Sequence, residues 1–514
     1  MRRVLPFLIL ALAFSQAAEA KTRKPGKAEQ AATEAKARLD AQTAAVRGAA
    51  AAQVAAIQNL DDDPKGPQLN AVIVYNSNAA YEAALLAHTG RLQGKTVLIK
   101  DNVETRDFPT TAGSLALANN STGRDAPLVS RIRADGGVIL GKTNLSEWAN
   151  IRSPMSSSGW SAVGGQTRNP HATDRNPCGS SSGSGAAVAA GMAWGAVGTE
   201  TDGSITCPAS VNGIVGFKPT VGLISRTGIV PISHSQDTPG PMTMTVPDAA
   251  LLLSVMAGSD ARDPATREAD ARRSDYTLGI GSSSLQGVRI GVLTRQSGNH
   301  PGVGRVFDQA KQDLLAAGAV MVPIDYDPPG EMYRDEGVVL YFELREDLGL
   351  YLGGLPGNPG VRTLADVIAF NKNNALTELR WFGQESFIKA DKPVDRAIYE
   401  KARTNSLRLA GPEGVDKLLR DNRVAVLIAP TAGPAWPIDL VTGDHFSDVG
   451  AGSLAAIAGY PHLTVPMGQV EGLPVGISFI GPKWADKLVL DVGAAYERAR
   501  TAPLPRPTFK RWGE

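Results

Sequence analysis

Cysteine is almost missing from this chain: Cys178 and Cys207 are the only two among 514 residues. Two thiols are too few for a disulfide scaffold or a four-ligand structural zinc site. Long apolar runs are missing as well. Nothing after the N-terminus reaches the ~18 consecutive apolar residues that a membrane-spanning helix needs. Neither sign of charge dominates, with 52 Lys and Arg against 51 Asp and Glu, and the basic residues form no long cluster. A nucleic-acid partner is therefore not expected. Metal-hydrolase patterns are absent too: there is no H-E-x-x-H, no spaced Cys/His set and no dense Asp cluster. No metal or other cofactor is expected, and no internal repeat is evident.

What is present starts with length. A chain of 514 residues can bury a large core, as one big α/β domain or as two domains. Glycine (55) and proline (34) are somewhat raised, which favours many tight turns rather than disorder. The N-terminus reads as an export signal: Arg2-Arg3, an apolar stretch over residues 4–14, and Ala18-Glu19-Ala20 as a small-x-small cleavage site. Cleavage after Ala20 would give a neutral mature protein in the periplasm or outside the cell, with no membrane attachment. In that oxidising setting Cys178 and Cys207 could pair if their segments meet; two buried free thiols are the alternative.

Along the chain, residues 21–60 read as a leader and an exposed helix ended by Asp61-Asp62-Asp63-Pro64. A strand is expected at 71–75 and a helix at 78–86. Residues 96–102 form a short apolar run closing on Lys100-Asp101-Asn102, the mark of a strand buried on both faces that ends at Lys100. A helix at 128–134 and a buried strand at 138–142 follow, then a polar loop or helix over 144–150. Farther on come a strand at 288–293, a helix at 305–317 capped by Gly318, and a strand at 320–324. This βαβ rhythm implies a parallel or mixed sheet. Residues 332–408 read as a helical insertion beside the core, within a domain spanning 61–514. Buried strands at 424–430, 462–466 and 475–480 and a closing helix at 486–500 complete the pattern.

Polar clusters bracket a small-residue segment between Asn176 and Pro219. Gly179-Ser180-Ser181-Ser182-Gly183 lies at one end and Thr199-Glu200-Thr201-Asp202-Gly203-Ser204 at the other. The first fits G-x-S-x-G with Ser181 as nucleophile, but that motif needs a strand feeding the turn, and Arg175-Asn176-Pro177-Cys178 offers none. No histidine partner stands out: His88, His171, His234, His300, His445 and His462 each read as surface or loop residues. The Ser-x-x-Lys spacing of β-lactam-type enzymes is absent around these serines. A serine hydrolase without histidine can use a neutral lysine as base. Its ordinary pKa of ~10.4 would have to fall, and burial can lower it by up to ~3–5 units. Lys100 is the best-placed lysine for this; a salt bridge to Asp101 is its alternative role.

Taken together, three motifs resemble the amidase signature family. Ile99-Lys100-Asp101-Asn102 is similar to its lysine motif, 179–183 to its Gly-Gly-Ser-Ser-Gly-Gly run, and 198–205 to its nucleophile loop, with Ser180 and Ser204 at the family's 24-residue interval. The likeness extends from about Asn70 to Gly476. It implies an α/β fold with a large mixed sheet covered by helices on both faces, and hydrolysis of a carboxamide to an acid and ammonia. It assigns Ser204 as nucleophile, Ser180 as a bridging serine behind a cis peptide, Lys100 as base, and the backbone N–H groups of Thr201, Asp202 and Gly203 as oxyanion hole.

Several positions depart from the common family pattern. Cys178-Gly179 replaces Gly-Gly, Glu200-Thr201-Asp202-Gly203-Ser204 replaces Asp-Ile-Gly-Gly-Ser, and Thr206 stands where an arginine is usual. Gln93-Gly94-Lys95 replaces a Pro-rich turn, a change expected to reshape the pocket floor. With the loops at 144–150, 164–170 and 235–238, these departures resemble bacterial peptide amidases, which act on C-terminally amidated peptides. Broad aliphatic or aryl amidases and amidotransferase A-subunits share the triad and are the alternatives. An exported binding protein on the same scaffold is disfavoured, because all three triad residues are present.

Overall fold

The computed structural model describes residues 27–357 and 359–514, so the expected signal at 1–20 lies outside the described residues. The helix expected within 21–60 forms as Lys27–Ile57, with only Ala50 and Ile57 buried, and it packs on the helix Ala79–Leu86. Among the described residues, thirteen strands follow in chain order. They are β1 (Val72–Tyr75), β2 (Thr96–Lys100), β3 (Val138–Thr143), β4 (Trp160–Ser161), β5 (Gly165–Gln166), β6 (Gly195–Glu200) and β7 (Val215–Lys218). Then come β8 (Thr238–Thr243), β9 (Arg289–Leu293), β10 (Val320–Ile324), β11 (Val426–Pro430), β12 (His462–Val470) and β13 (Leu473–Ile480). Strands β4 and β5 form a small hairpin.

The other eleven make one sheet in the order β1-β3-β2-β6-β8-β7-β12-β13-β11-β9-β10. It is mixed, as the βαβ rhythm implied. The trios β3-β2-β6 and β11-β9-β10 pair in parallel, and the strands between them pair antiparallel. Strand alternation distributes side chains to both faces. In β2, Val97 and Ile99 enter one core while Leu98 enters the other; in β11, Val426 and Ile428 are opposed to Leu427 and Ala429 in the same way. Helices Pro127–Ala134, Val246–Met256, Pro301–Ala316 and Asp486–Ala499 cover the first face. Helices Ala79–Leu86, Ser182–Ala189, Asp416–Asn422 and Gly452–Ala458 cover the second. With apolar residues required on both sides, the strands read as continuous runs.

The helical insertion also forms, as Gly330–Gly353, Leu364–Asn373, Ala375–Glu378, Glu385–Ala390 and Arg396–Ala410. It has its own apolar cluster, in which Leu344, Leu348, Val367 and Phe387 enclose Trp148. Three details differ from expectation. The helix expected from 305 begins at Pro301, where proline suits a first-turn position and His300 Nδ1 accepts from Val303 N. Strand β12 continues to Val470 through an irregularity between Pro466 and Gly468. Strand β8 lies inside the sheet although Pro239 and Pro241 sit in it. Neighbouring β7 reaches it only at Met242 and Thr243, so the prolines fall beyond that ladder.

Phe479 is fully buried on β13 against Tyr496. Phe479→Ala should therefore cost about 3–5 kcal/mol, read as a lower urea midpoint at unchanged m-value.

Candidate active site

Lys100 is the last residue of β2, and the two-residue strand period puts it on the face of Leu98, toward the helix Ser182–Ala189. It is fully buried. Its Nζ lies 2.8 Å from Ser180 Oγ, 2.9 Å from Ser181 Oγ, 2.9 Å from Thr199 Oγ1 and 3.1 Å from the Thr199 carbonyl. Burial pushes the amine down to about 7, against the opposing pull of Glu200 and Asp237. A neutral amine has two N–H bonds and one lone pair, so it can donate to the Thr199 oxygens and still accept the Ser180 hydroxyl proton. Asp101 does not pair with Lys100: its Oδ1 is 2.9 Å from the equally buried Lys142 Nζ, and Thr111 donates to its Oδ2. The competing salt-bridge role is thus taken by another lysine.

The peptide bond Gly179–Ser180 is cis. Ser180 accepts a backbone hydrogen bond from Ser146 N at 3.1 Å. Space explains the glycine before it, since a Cβ at position 179 would stand 2.1 Å from Ser146 Oγ. The loop carrying Ser146 is itself pinned through Asn144. The Asn144 side chain donates to Asn70 O, Gly165 O and Thr167 Oγ1 and accepts from Ser161 Oγ. The loops singled out at 144–150 and 164–170 therefore serve as scaffold for the serine run.

Ser204 arrives from the other end of the segment. Strand β6 ends at Glu200, whose buried carboxylate accepts from Ile205 N at 2.7 Å and Thr206 N at 2.9 Å. Those bonds curl 200–206 into a tight loop. Gly203 adopts φ +77°, a left-handed conformation that favours glycine. Two ties join the halves of the segment: Ser181 N donates to Ser204 O at 3.1 Å, and Cys178 and Cys207 form a disulfide with Cα atoms 6.0 Å apart. Of the two fates open to the thiols, pairing is the one observed.

A cavity of about 510 Å³ opens on this junction, with Thr201, Asp202, Gly203 and Ser204 side by side in its wall beside Gly179 and the disulfide. The rest of its lining includes Ala149, Asn150, Ile232, Phe446 and Ser453. The Asp202 carboxylate accepts from Ser453 Oγ at 2.7 Å. Burial raises its pKa, and the nearby Glu200 adds to the shift. Glu336 on the insertion is raised by burial and then by the Asp202 charge. The loop at 235–238 braces Thr201 from outside. Asp237 Oδ1 accepts from Thr201 Oγ1 at 2.6 Å, and Gln236 Nε2 donates to Thr201 O at 3.3 Å and to Glu336 Oε1 at 2.9 Å.

All six expected site residues, Lys100, Ser180, Ser204, Thr201, Asp202 and Gly203, thus gather around one cavity and the buried network beneath it. Sequence reasoning missed Thr199, which holds Lys100 and accepts from Asn102 Nδ2 at 2.9 Å, and Asp237. The polar cluster beginning at Thr199 was the available signal for the first. Ser181, the apparent nucleophile of the short motif, is fully buried under Lys100 and donates to Thr199 O at 3.1 Å. Two expectations need correction. His462 is not a surface or loop residue but lies buried on β12; its Nε2 is 2.7 Å from Ser478 Oγ, and burial pushes it down to about 3. His171 is buried too, but on a turn, so it is a loop residue as expected. The Gln93-Gly94-Lys95 turn precedes the far end of β2 and lines no part of the cavity.

The disulfide closes a loop with a sequence separation of 29. Replacing both Cys178 and Cys207 by serine should cost about 3–4 kcal/mol by loop-closure entropy, seen as a lower Tm under non-reducing conditions.

Comparison with known proteins agrees with this geometry. The Amidase family model matches residues 64–490. A peptide amidase from Stenotrophomonas maltophilia superposes with a TM-score of 0.86 at 45% identity, covering 91% of this chain and 96% of that one. A probable amidase of Arabidopsis thaliana is 38% identical over 462 residues, 86% of this chain and 85% of that protein. A glutamyl-tRNA(Gln) amidotransferase A-subunit of Deinococcus radiodurans is 33% identical over 462 residues, 85% of this chain and 92% of that protein. With its mixed eleven-stranded sheet and a buried lysine on a cis-linked serine, this chain belongs to the amidase signature family of serine amidohydrolases.

Proposed function

We propose that the protein hydrolyses the C-terminal amide of peptides to a carboxylic acid and ammonia through an acyl intermediate on Ser204. The observation that carries this reading is the fully buried Lys100 amine, held at 2.8 Å from Ser180 Oγ directly behind the loop that presents Ser204. Neutral Lys100 accepts the Ser180 proton as Ser180 accepts that of Ser204, and Ser204 Oγ bonds to the carboxamide carbon. Backbone N–H groups of Thr201, Asp202 and Gly203 hold the oxyanion, each worth roughly 3–4 kcal/mol. The proton returns through Ser180 to nitrogen, the C–N bond breaks, and ammonia leaves. Water, deprotonated along the same path, then attacks the acyl carbon and frees Ser204. The likeness to a peptide amidase and the shared loop departures support a peptide amide as substrate. The signal pattern over residues 1–20 and the Cys178–Cys207 disulfide both support export to an oxidising compartment.

Ammonia release from amidated dipeptides, aliphatic amides and aryl amides tests the reading. Activity should be greatest on the dipeptides, and Ser204→Ala should lower kcat by about 10⁴–10⁶-fold. An unchanged rate in that variant would refute the mechanism. Since only neutral Lys100 accepts a proton, kcat/KM should fall about tenfold per pH unit below about 7 and level off above it. Lys100→Ala should lose ~10²–10⁴-fold and that acid limb together. Edman sequencing of protein recovered from the periplasm should begin at Lys21, and an intact N-terminus would count against export.

A further inference from the structure

Charge in the cleft is one-sided. Among the described residues that line the cavity there is no lysine, arginine or histidine, and Asp202 carries its one ionisable side chain. That carboxylate stands in the wall two positions before Ser204, fixed by the Ser453 hydroxyl at 2.7 Å. The cations nearby do not reach the opening. Lys218 is fully buried on β7 and donates to Tyr460 O at 2.5 Å, while Lys100 must be neutral to work as a base. Two further acidic groups act on Asp202, Glu200 and Glu336 of the insertion, with the buried Lys218 opposing Glu200. The reaction itself turns a neutral group into an anion in this same cleft.

We infer that the Asp202 carboxylate makes the cleft reject anions, so that it admits an uncharged amide end and expels the carboxylate that hydrolysis leaves behind. The inference rests on the proposed hydrolysis at Ser204. It makes Asp202 a residue that determines specificity through its side chain, separately from its backbone N–H. The substrate class narrows to amides with no carboxylate beside the scissile group, and product inhibition is weak. At cleft distances, like-charge repulsion in a partly wet site is worth about a factor of ten in affinity.

The test is equilibrium binding to Ser204→Ala protein, which cannot turn over, by titration calorimetry at pH 8. The probes are N-acetyl-phenylalaninamide, N-acetyl-phenylalanine and the methyl ester of the latter. The acid should bind at least about tenfold more weakly than the amide, and the neutral ester within about threefold of it. Adding Asp202→Asn should shrink the acid-to-amide ratio of Kd at least about fivefold. An acid that binds as tightly as the amide, or a ratio that Asp202→Asn leaves unchanged, overturns the inference. So does an ester as weak as the acid, because the discrimination would then follow the lost N–H donors and not charge. The ester comparison needs no change at Asp202, so it decides the matter even if Asp202→Asn fails to fold. Absence of amide turnover by the intact enzyme would count against hydrolysis at Ser204, whereas the binding ratios judge Asp202 alone.

Discussion

Removal of the Lys100 amine from water is the constraint on which the rest of this structure depends. An exposed lysine is protonated at neutral pH and cannot act as a base. Desolvation brings Lys100 down to about 7 even though Glu200 and Asp237 favour its charged form. Such burial demands a strand covered on both faces, which β2 is, and a set of hydrogen-bonding oxygens so that the polar head is not left unpaired. Ser180, Ser181 and Thr199 provide them. Small residues in the helix Ser182–Ala189 let that helix pack closely against the sheet at this point. The glycine and serine content of the segment therefore follows from a packing requirement as much as from chemistry.

A second requirement follows from the first. In the proposed reaction the base is buried while the nucleophile meets a substrate, so the proton path would run from a dry interior to a cavity wall. Two chain segments meet to build it: the turn at 178–181 and the loop at 200–206. The Cys178–Cys207 bridge and the Ser181 N to Ser204 O bond fix their separation. Another part of the lining is tied to the helical insertion, which itself contributes Leu340. Arg152, fully buried, is 2.9 Å from Glu147 Oε1 and reaches the Glu378 carbonyl, tying the loop at 147–152 to the insertion. Trp148, Ala149 and Asn150 all have φ near +50° to +74°, and this turn presents Ala149 and Asn150 to the cavity. The insertion is thus a structural part of the cleft and not an appendage to it.

Legibility in the sequence followed the strength of local signals. Buried strands such as 96–100 and 426–430 announced themselves as short apolar runs, and Lys100 was conspicuous because it closes one of them. Strand β6 was harder to see, since Gly195, Ala196 and Gly198 suit a close-packed strand and a helix equally well. Two prolines hid β8, because the gap in its ladder depends on how far β7 extends, which is not a local property. His462 opens the run expected as a buried strand at 462–466, and that strand reading, not the surface or loop reading, is the one that holds. Its burial comes from β7 and β13 on either side. The positions of Lys100, Ser180 and Ser204 were singled out through the motif resemblance. Thr199 and Asp237 become visible as partners only once the segments at 100, 199 and 237 are brought together in space.

Gly179, Gly203 and position 202, all glycine in the common family pattern, differ in whether they can accept a side chain. At Gly179 the obstacle is space, since a Cβ would enter the Ser146 hydroxyl. At Gly203 no atom lies within 4 Å of an added Cβ, yet φ +77° strains any L side chain there. Position 202, where the common family pattern has glycine, carries aspartate and is not among the residues with positive φ. It borders the open cavity and therefore suffers neither restriction. A carboxylate can enter here without disturbing the backbone that holds Ser204, because backbone geometry and cleft electrostatics are set by different atoms of the same residue. Charge in this cleft is accordingly set independently of the geometry that places Ser204 and Lys100.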